Sequence, residues 1–191
     1  MANGTLKVGT ITTSTGSGTI TIGQSGETIT IPSGVTQTNI GGVMTPAFEA
    51  NMSADQTVSD DTVTKVQFDT ERFDTDSCYD NSTNYRFTPT TAGKYYVYST
   101  IRSDSTSNST VAQVDIIIYK NGSAYSSAGS NFSTNYIAEH APTITNVIDF
   151  NGSSDYVEIF VRNNATGGTL KVQADTFTSS ATFGAYKLIG A

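Results

Sequence analysis

Long runs of alternating apolar residues, each stopped by a turn signal, leave this chain few folds to choose from. Residues 111–119 place Ala112, Val114, Ile116 and Ile118 on one side and Ile117 and Tyr119 on the other. Asn121-Gly122 follows at once, the dipeptide best suited to the positive φ angles of a two-residue hairpin. Residues 144–150 run into a second Asn-Gly turn, Asn151-Gly152. Residues 156–162 then set Val157, Ile159 and Val161 opposite Tyr156 and Phe160. A period of two is the signature of strands, and no stretch shows the period of a helix. Shorter runs at 47–52, 63–68, 85–87, 95–101, 170–174 and 183–189 bring the expectation to about nine or ten strands. Thr, Ser, Gly and Asn abound and charged residues are only 14%, a mix that favours strands joined by polar turns over helices. The predicted fold class is all-β, a two-sheet jelly-roll sandwich.

One segment says more. Between residues 68 and 97, Tyr85 and Phe87 alternate with polar neighbours, Pro89 fixes a turn dihedral, and Gly93 gives permissive backbone before an aromatic run. The spacing of Phe68, Asp74, Tyr79, Phe87, Gly93, Tyr95 and Val97 resembles the signature of the globular head of complement component 1q and its tumour-necrosis-factor-like relatives. That signature is Phe, five residues, Asn or Asp, four residues, an aromatic, six residues, Phe, five residues, then Gly-x-Tyr-x-Phe. Two positions depart from it: seven residues separate Tyr79 from Phe87, and Val97 stands where the family prefers Phe. Lys120-Asn121-Gly122, Asp155-Tyr156-Val157 and Thr182-Phe183-Gly184 add to the likeness, which covers residues 46–191. The resemblance implies a jelly-roll head that assembles as a trimer, and in several relatives calcium sits near the trimer axis.

The N-terminal part is different in kind. Residues 9–35 read GTITTSTGS, GTITIGQSG, ETITIPSGV, three units of nine with Ile11, Ile20 and Ile29 in phase. Each unit gives a short strand and a Gly, Ser or Pro turn, the pattern of a stacked β stalk. So few units bury little alone, and wrapping with identical chains would cover the Ile20 and Ile29 stripe. A flexible Gly/Thr linker is the alternative. The repeat resembles the shafts of bacteriophage fibres, marine phages in particular. Residues 36–45 form a connector broken at Gly41-Gly42, and residues 1–8 hold too little apolar surface to fold alone. The expected organisation is therefore an attachment segment (1–8), a repeat stalk and connector (9–45), and the head (46–191).

Surplus apolar residues suggest assembly. A sandwich strand needs one apolar face, so Tyr96, Tyr98, Ile117 and Tyr119 are expected at a subunit interface, or else beneath a covering loop. Long polar stretches at 103–110 and 125–135 are the expected binding loops, with Ser103, Asp104, Asn108, Tyr125, Asn131 and Asn135 as receptor-binding candidates.

Several functions are disfavoured. Residues 1–45 carry only Lys7 and Glu27, so the formal net charge of −7 belongs to the head, and the scattered Lys and Arg make nucleic acid an unlikely partner. No apolar run approaches the roughly 18 residues of a membrane span, and no signal peptide is visible. Cys78 is the only cysteine and His140, expected in a loop, the only histidine, so neither an intrachain disulfide nor a Cys/His metal site can form. Ser and Asp are too common for a Ser-His-Asp match to carry weight. The Asn-x-Ser/Thr triplets at Asn81, Asn108, Asn121, Asn131 and Asn151 are expected by chance in such a composition and, with no secretory signal, unglycosylated. Calcium is the one cofactor considered, through Asp74, Asp76 and Asp80, with Asp55, Asp60 and Asp61 as a second acidic group. The expected function is a non-enzymatic, trimeric virion appendage, made in the host cytoplasm. Its N-terminus would dock to other virion proteins, and its head would bind a host-surface glycan or protein. A decoration or head-fibre protein without receptor binding, and a bacterial surface adhesin, stay open as alternatives.

Overall fold

The computed structural model describes residues 10–11, 21–22, 26–28, 44–174 and 181–189. The chain divides into two units, Met1–Ile40 and Gly41–Ala191. In the first, Ile11 and Ile22 are exposed. The attachment segment, most of the repeat stalk, and the interface candidates Ile20 and Ile29 lie outside the described residues.

The second unit is built from strands alone among its described residues. In chain order they are β1 (Ala47–Asn51), β2 (Gln56–Thr57), β3 (Thr64–Lys65), β4 (Thr70–Asp74), β5 (Tyr79–Asp80), β6 (Arg86–Phe87), β7 (Gly93–Thr100) and β8 (Ser103–Ser105). They continue with β9 (Val111–Lys120), β10 (Ser123–Asn131), β11 (Glu139–His140), β12 (Thr143–Phe150), β13 (Val157–Ala165), β14 (Leu170–Val172) and β15 (Thr182–Lys187). A five-stranded sheet runs β12-β7-β15-β1-β4, and a six-stranded sheet runs β10-β9-β13-β6-β5 with β3 also paired to β13. A small third sheet, β11-β8-β14-β2, closes one end. Every pairing is antiparallel.

The long strands fall where alternation predicts them, and the core lies between the two large sheets. Phe48, Ala50, Tyr95, Val97, Ile148, Phe183 and Ala185 meet Phe87, Val114, Ile116, Ile118, Val157, Ile159 and Val161, all buried. At its centre Phe48 stacks between Tyr79 and Phe87, with ring centroids 4.5 and 4.6 Å away, and meets Phe183 edge-on at 4.9 Å. The spaced motif is thus the skeleton of the core. Tyr79 donates its hydroxyl to the Phe68 carbonyl (2.9 Å) and its amide to Asp74 Oδ2 (2.8 Å), and Gly93 sits at φ +139°, open to glycine. The extra residue after Tyr79 is absorbed by a turn wound on Asp80, whose carboxylate accepts the amides of Ser82, Thr83 and Asn84.

Sequence and structure differ where strands are short or polar. β2, β3, β5, β6 and β11 have two residues each, too few for alternation to show, and His140 lies in β11 rather than a loop. β8 (SDS) and β10 (SAYSSAGSN) are strands with almost no apolar residues, because the apolar faces they need are supplied by their neighbours. The two Asn-Gly pairs also do different work. Asn121-Gly122 takes φ of +52° and +79° and closes the β9–β10 hairpin. Asn151-Gly152 carries the chain across from the five-stranded to the six-stranded sheet.

Register gives the head two distinct ends. At the near end lie Pro46, whose carbonyl accepts the Lys187 amide, Gly93 paired with Phe150, and Lys120 paired with Val157. At the far end lie the third sheet, the 106–110 turn, the 132–137 turn and the β13–β14 connection.

Candidate functional site

The outward face of the five-stranded sheet is aromatic. Register aligns Val147, Tyr96, Tyr186 and Ala47 across β12, β7, β15 and β1, and beside them Thr145, Tyr98, Gly184, Glu49 and Phe73. The Tyr96 ring lies 5.5 Å from Tyr186 and 6.1 Å from Tyr98. Val147 and Phe73 are 46% and 47% exposed, so the patch is open to solvent at both edges. Tyr98 Oη donates to Glu49 Oε2 (2.6 Å), and Arg72 holds Glu49 Oε1 at 2.6 Å. Burial, with the Glu49 carboxylate second, pushes the Tyr98 phenol well above its ordinary range. Gly184 is required here: a Cβ on it would lie 2.4 Å from Tyr98 Cζ and Oη.

The four head residues expected at one interface therefore separate. Tyr96 and Tyr98 share the aromatic face, whereas Ile117 and Tyr119 stand on the outward face of the opposite sheet, beside Phe160 and Glu158. That second face carries its own cover. Tyr119 packs on Phe160 at 4.1 Å, Lys65 Nζ sits 5.7 Å over the Phe160 ring and 2.5 Å from Glu158, and Arg86 lies 4.5 Å over Tyr156. Alternation showed that both sets were surplus to one core, but not that they face away from each other.

The receptor-binding candidates also divide. Ser103 has no exposed surface: it lies in β8 and its Oγ accepts from Asn163 Nδ2 (2.9 Å), which corrects its assignment to a binding loop. Asp104 is half-buried in the same strand. Its Oδ2 accepts from Gln173 Nε2 (2.5 Å), and burial raises its carboxyl above the usual range. Asn108, Asn131 and Asn135 are exposed at the far end, Asn131 at the last residue of β10 and Asn135 in the turn beyond it. Tyr125 is 49% exposed but lies toward the near end of β10, so it does not join them. Residues 125–131 belong to this edge strand rather than to a loop.

The acidic residues are largely spoken for. Asp74 accepts the amides of Tyr79 and Asp76, Asp76 accepts the Thr75 hydroxyl, and the amides and side chain around Asp80 hold its carboxyl far below the usual range. Asp61 pairs with Arg162, Asp55 with Lys171, and Asp60 accepts the Ala165 amide. Among the described residues no three Asp, Glu, His or Cys side chains converge to hold a metal. His140 packs edge-on against Phe132 at 5.0 Å.

No family model matches the chain, and no curated protein does. Solved structures match its fold. The globular domain of zebrafish complement 1qA aligns with a TM-score of 0.53 at 15% identity, covering 75% of this chain and 97% of that one. Murine APRIL aligns with a TM-score of 0.52 at 13% identity, covering 74% and 98%. The alignments take in nearly the whole of each neighbour. The head is a jelly roll of the complement-1q and tumour-necrosis-factor type.

Proposed function

We propose that this chain is a non-enzymatic, trimeric virion appendage: a fibre or spike whose N-terminal segment docks to the particle and whose head points outward to bind the host surface. The carrying observation is the aromatic face of Tyr96, Tyr98 and Tyr186 with Val147 and Phe73. It is a contiguous patch on a flat sheet, the kind of surface that marks a protein–protein contact. The opposite sheet screens its apolar residues with Lys65, Glu158 and Arg86 and has no such need. The in-phase repeat of residues 9–35 fits a stalk that is covered only when copies wrap together. The turns of the far end, polar and exposed at Asn108, Asn131 and Asn135, are the surface offered to the host. A calcium ion shared between copies would compete with the turn amides that already bond to Asp74 and Asp80.

Electron microscopy of particles with and without this protein tests the reading. A projection lost with the protein, and reduced adsorption without it, are expected. Particles that lack it yet adsorb normally would favour a decoration role, and a protein never associated with particles would favour a surface adhesin.

A further inference from the structure

At the far end a pocket of about 330 Å³ opens between the 58–62 turn and the β13–β14 connection. Val58 and Leu170, buried and joined by an amide-to-carbonyl bond of 3.0 Å, form its apolar floor. Asp60 stands on the rim. The Ala165 amide fixes Asp60 Oδ1 at 2.9 Å, while Oδ2 has no protein partner among the described residues. Thr169 adds a hydroxyl in the same condition. Gly167 leaves the mouth open, since a Cβ there would meet only Thr110 Cγ2, at 3.8 Å. The volume falls at the small end of ligand pockets, about 300–1,000 Å³, and so suits a single compact molecule rather than a chain.

The surrounding charge narrows the ligand. The cations of this end are already paired: Arg162 with Asp61 at 2.6 Å, Lys171 with Asp55 at 3.5 Å, and Arg102 with Glu139. Asp60 thus has no cation set against it, and an anionic ligand would find no partner there. An apolar floor, a free carboxylate oxygen and a hydroxyl are what a neutral polyol needs, because its ring C–H groups want contact and its O–H groups bond most strongly to an ionised acceptor.

We propose that this pocket binds one neutral sugar ring, its hydroxyls donating to Asp60 Oδ2 and its less polar face on Val58 and Leu170. The inference rests on the reading of the far end as the outward, adhesive one. Ligand-observed saturation-transfer NMR on the full chain, with glucose, galactose, mannose, N-acetylglucosamine and glucuronate as probes, tests it. Transfer to at least one neutral sugar and none to glucuronate is expected. Gly167→Leu, which adds bulk to the pocket lining without backbone strain, should weaken or abolish the signal. Asp60→Asn, which keeps an acceptor for the Ala165 amide, should weaken binding about tenfold or more. No transfer to any neutral sugar, or affinity unchanged in Asp60→Asn, overturns the proposal. Adsorption of particles carrying Gly167→Leu is read separately. Sugar binding lost with adsorption intact leaves the pocket standing and removes the adhesive reading.

Discussion

Replacing Gly184 with Ala adds one methyl group to the outward face, yet the structure gives it a definite effect. The new Cβ would lie 2.4 Å from Tyr98 Cζ and Oη, so the ring must swing away. In doing so it gives up its 2.6 Å bond to Glu49 and its place beside Tyr96. A hydrogen bond to a charged group contributes about 1.5–3 kcal/mol, and half-exposure roughly halves that. The aromatic contact adds about 0.5 kcal/mol. Relief of a strand glycine returns about 0.5–1 kcal/mol. The net cost should be about 0.3–1.5 kcal/mol by urea denaturation at fixed protein concentration, a condition required because assembly shifts apparent stability. A double-mutant cycle isolates the cause. In a Tyr98→Ala background nothing remains to be displaced, and Gly184→Ala should become neutral or stabilising by up to about 1 kcal/mol. Equal destabilisation in both backgrounds would refute the contact between Gly184 and Tyr98 as the reason for the glycine.

Other perturbations follow from the same geometry. Phe48→Ala should cost about 3–5 kcal/mol in chemical denaturation, since the ring is wholly buried among Tyr79, Phe87 and Phe183. Asp155→Ala should lower the melting temperature, because that carboxylate ties Lys120 and Asn121 at the β9–β10 turn to Asn151 at the sheet crossing. Tyr79, Tyr95 and Tyr98 have phenols raised by burial, Tyr95 to about 12. Their raised folded values mean stability that is present below about pH 10 and lost as pH rises through the folded values. An absorbance titration should show these three ionising only with unfolding. Asp80 shifts the opposite way, held low by its turn amides. Its contribution is present above about pH 4 and lost as pH falls toward the depressed folded value, so Asp80→Asn should flatten the acid limb of the stability profile.

Much of this fold was legible because period-two alternation reports burial directly. Val114, Ile116 and Ile118 face the core while Ile117 and Tyr119 face out, and Phe48 to Phe183 fill the gap between sheets. What alternation cannot report is which sheet a strand joins. Tyr98 and Ile117 look equivalent in sequence, yet strand order places them on opposite sides of the molecule. Polar strands were illegible for a related reason. Ser103 is buried because β14 and Asn163 pack beside it, not because of anything in SDS itself. The pocket at Asp60 joins residues 58–60 to residues 165–170, brought together by the β2–β14 pairing of the third sheet and by the Asp61 amide on the Asn163 carbonyl.

The aromatic face of the five-stranded sheet is proposed to join identical subunits. Light scattering on the purified full chain measures it directly, with Tyr96→Asp as the paired sample. The wild-type mass should be three times the 20.2 kDa of one chain, and the carboxylate placed between Tyr186 and Val147 should reduce it to one. A folded wild-type monomer at micromolar concentration, or a trimer indifferent to Tyr96→Asp, would contradict it.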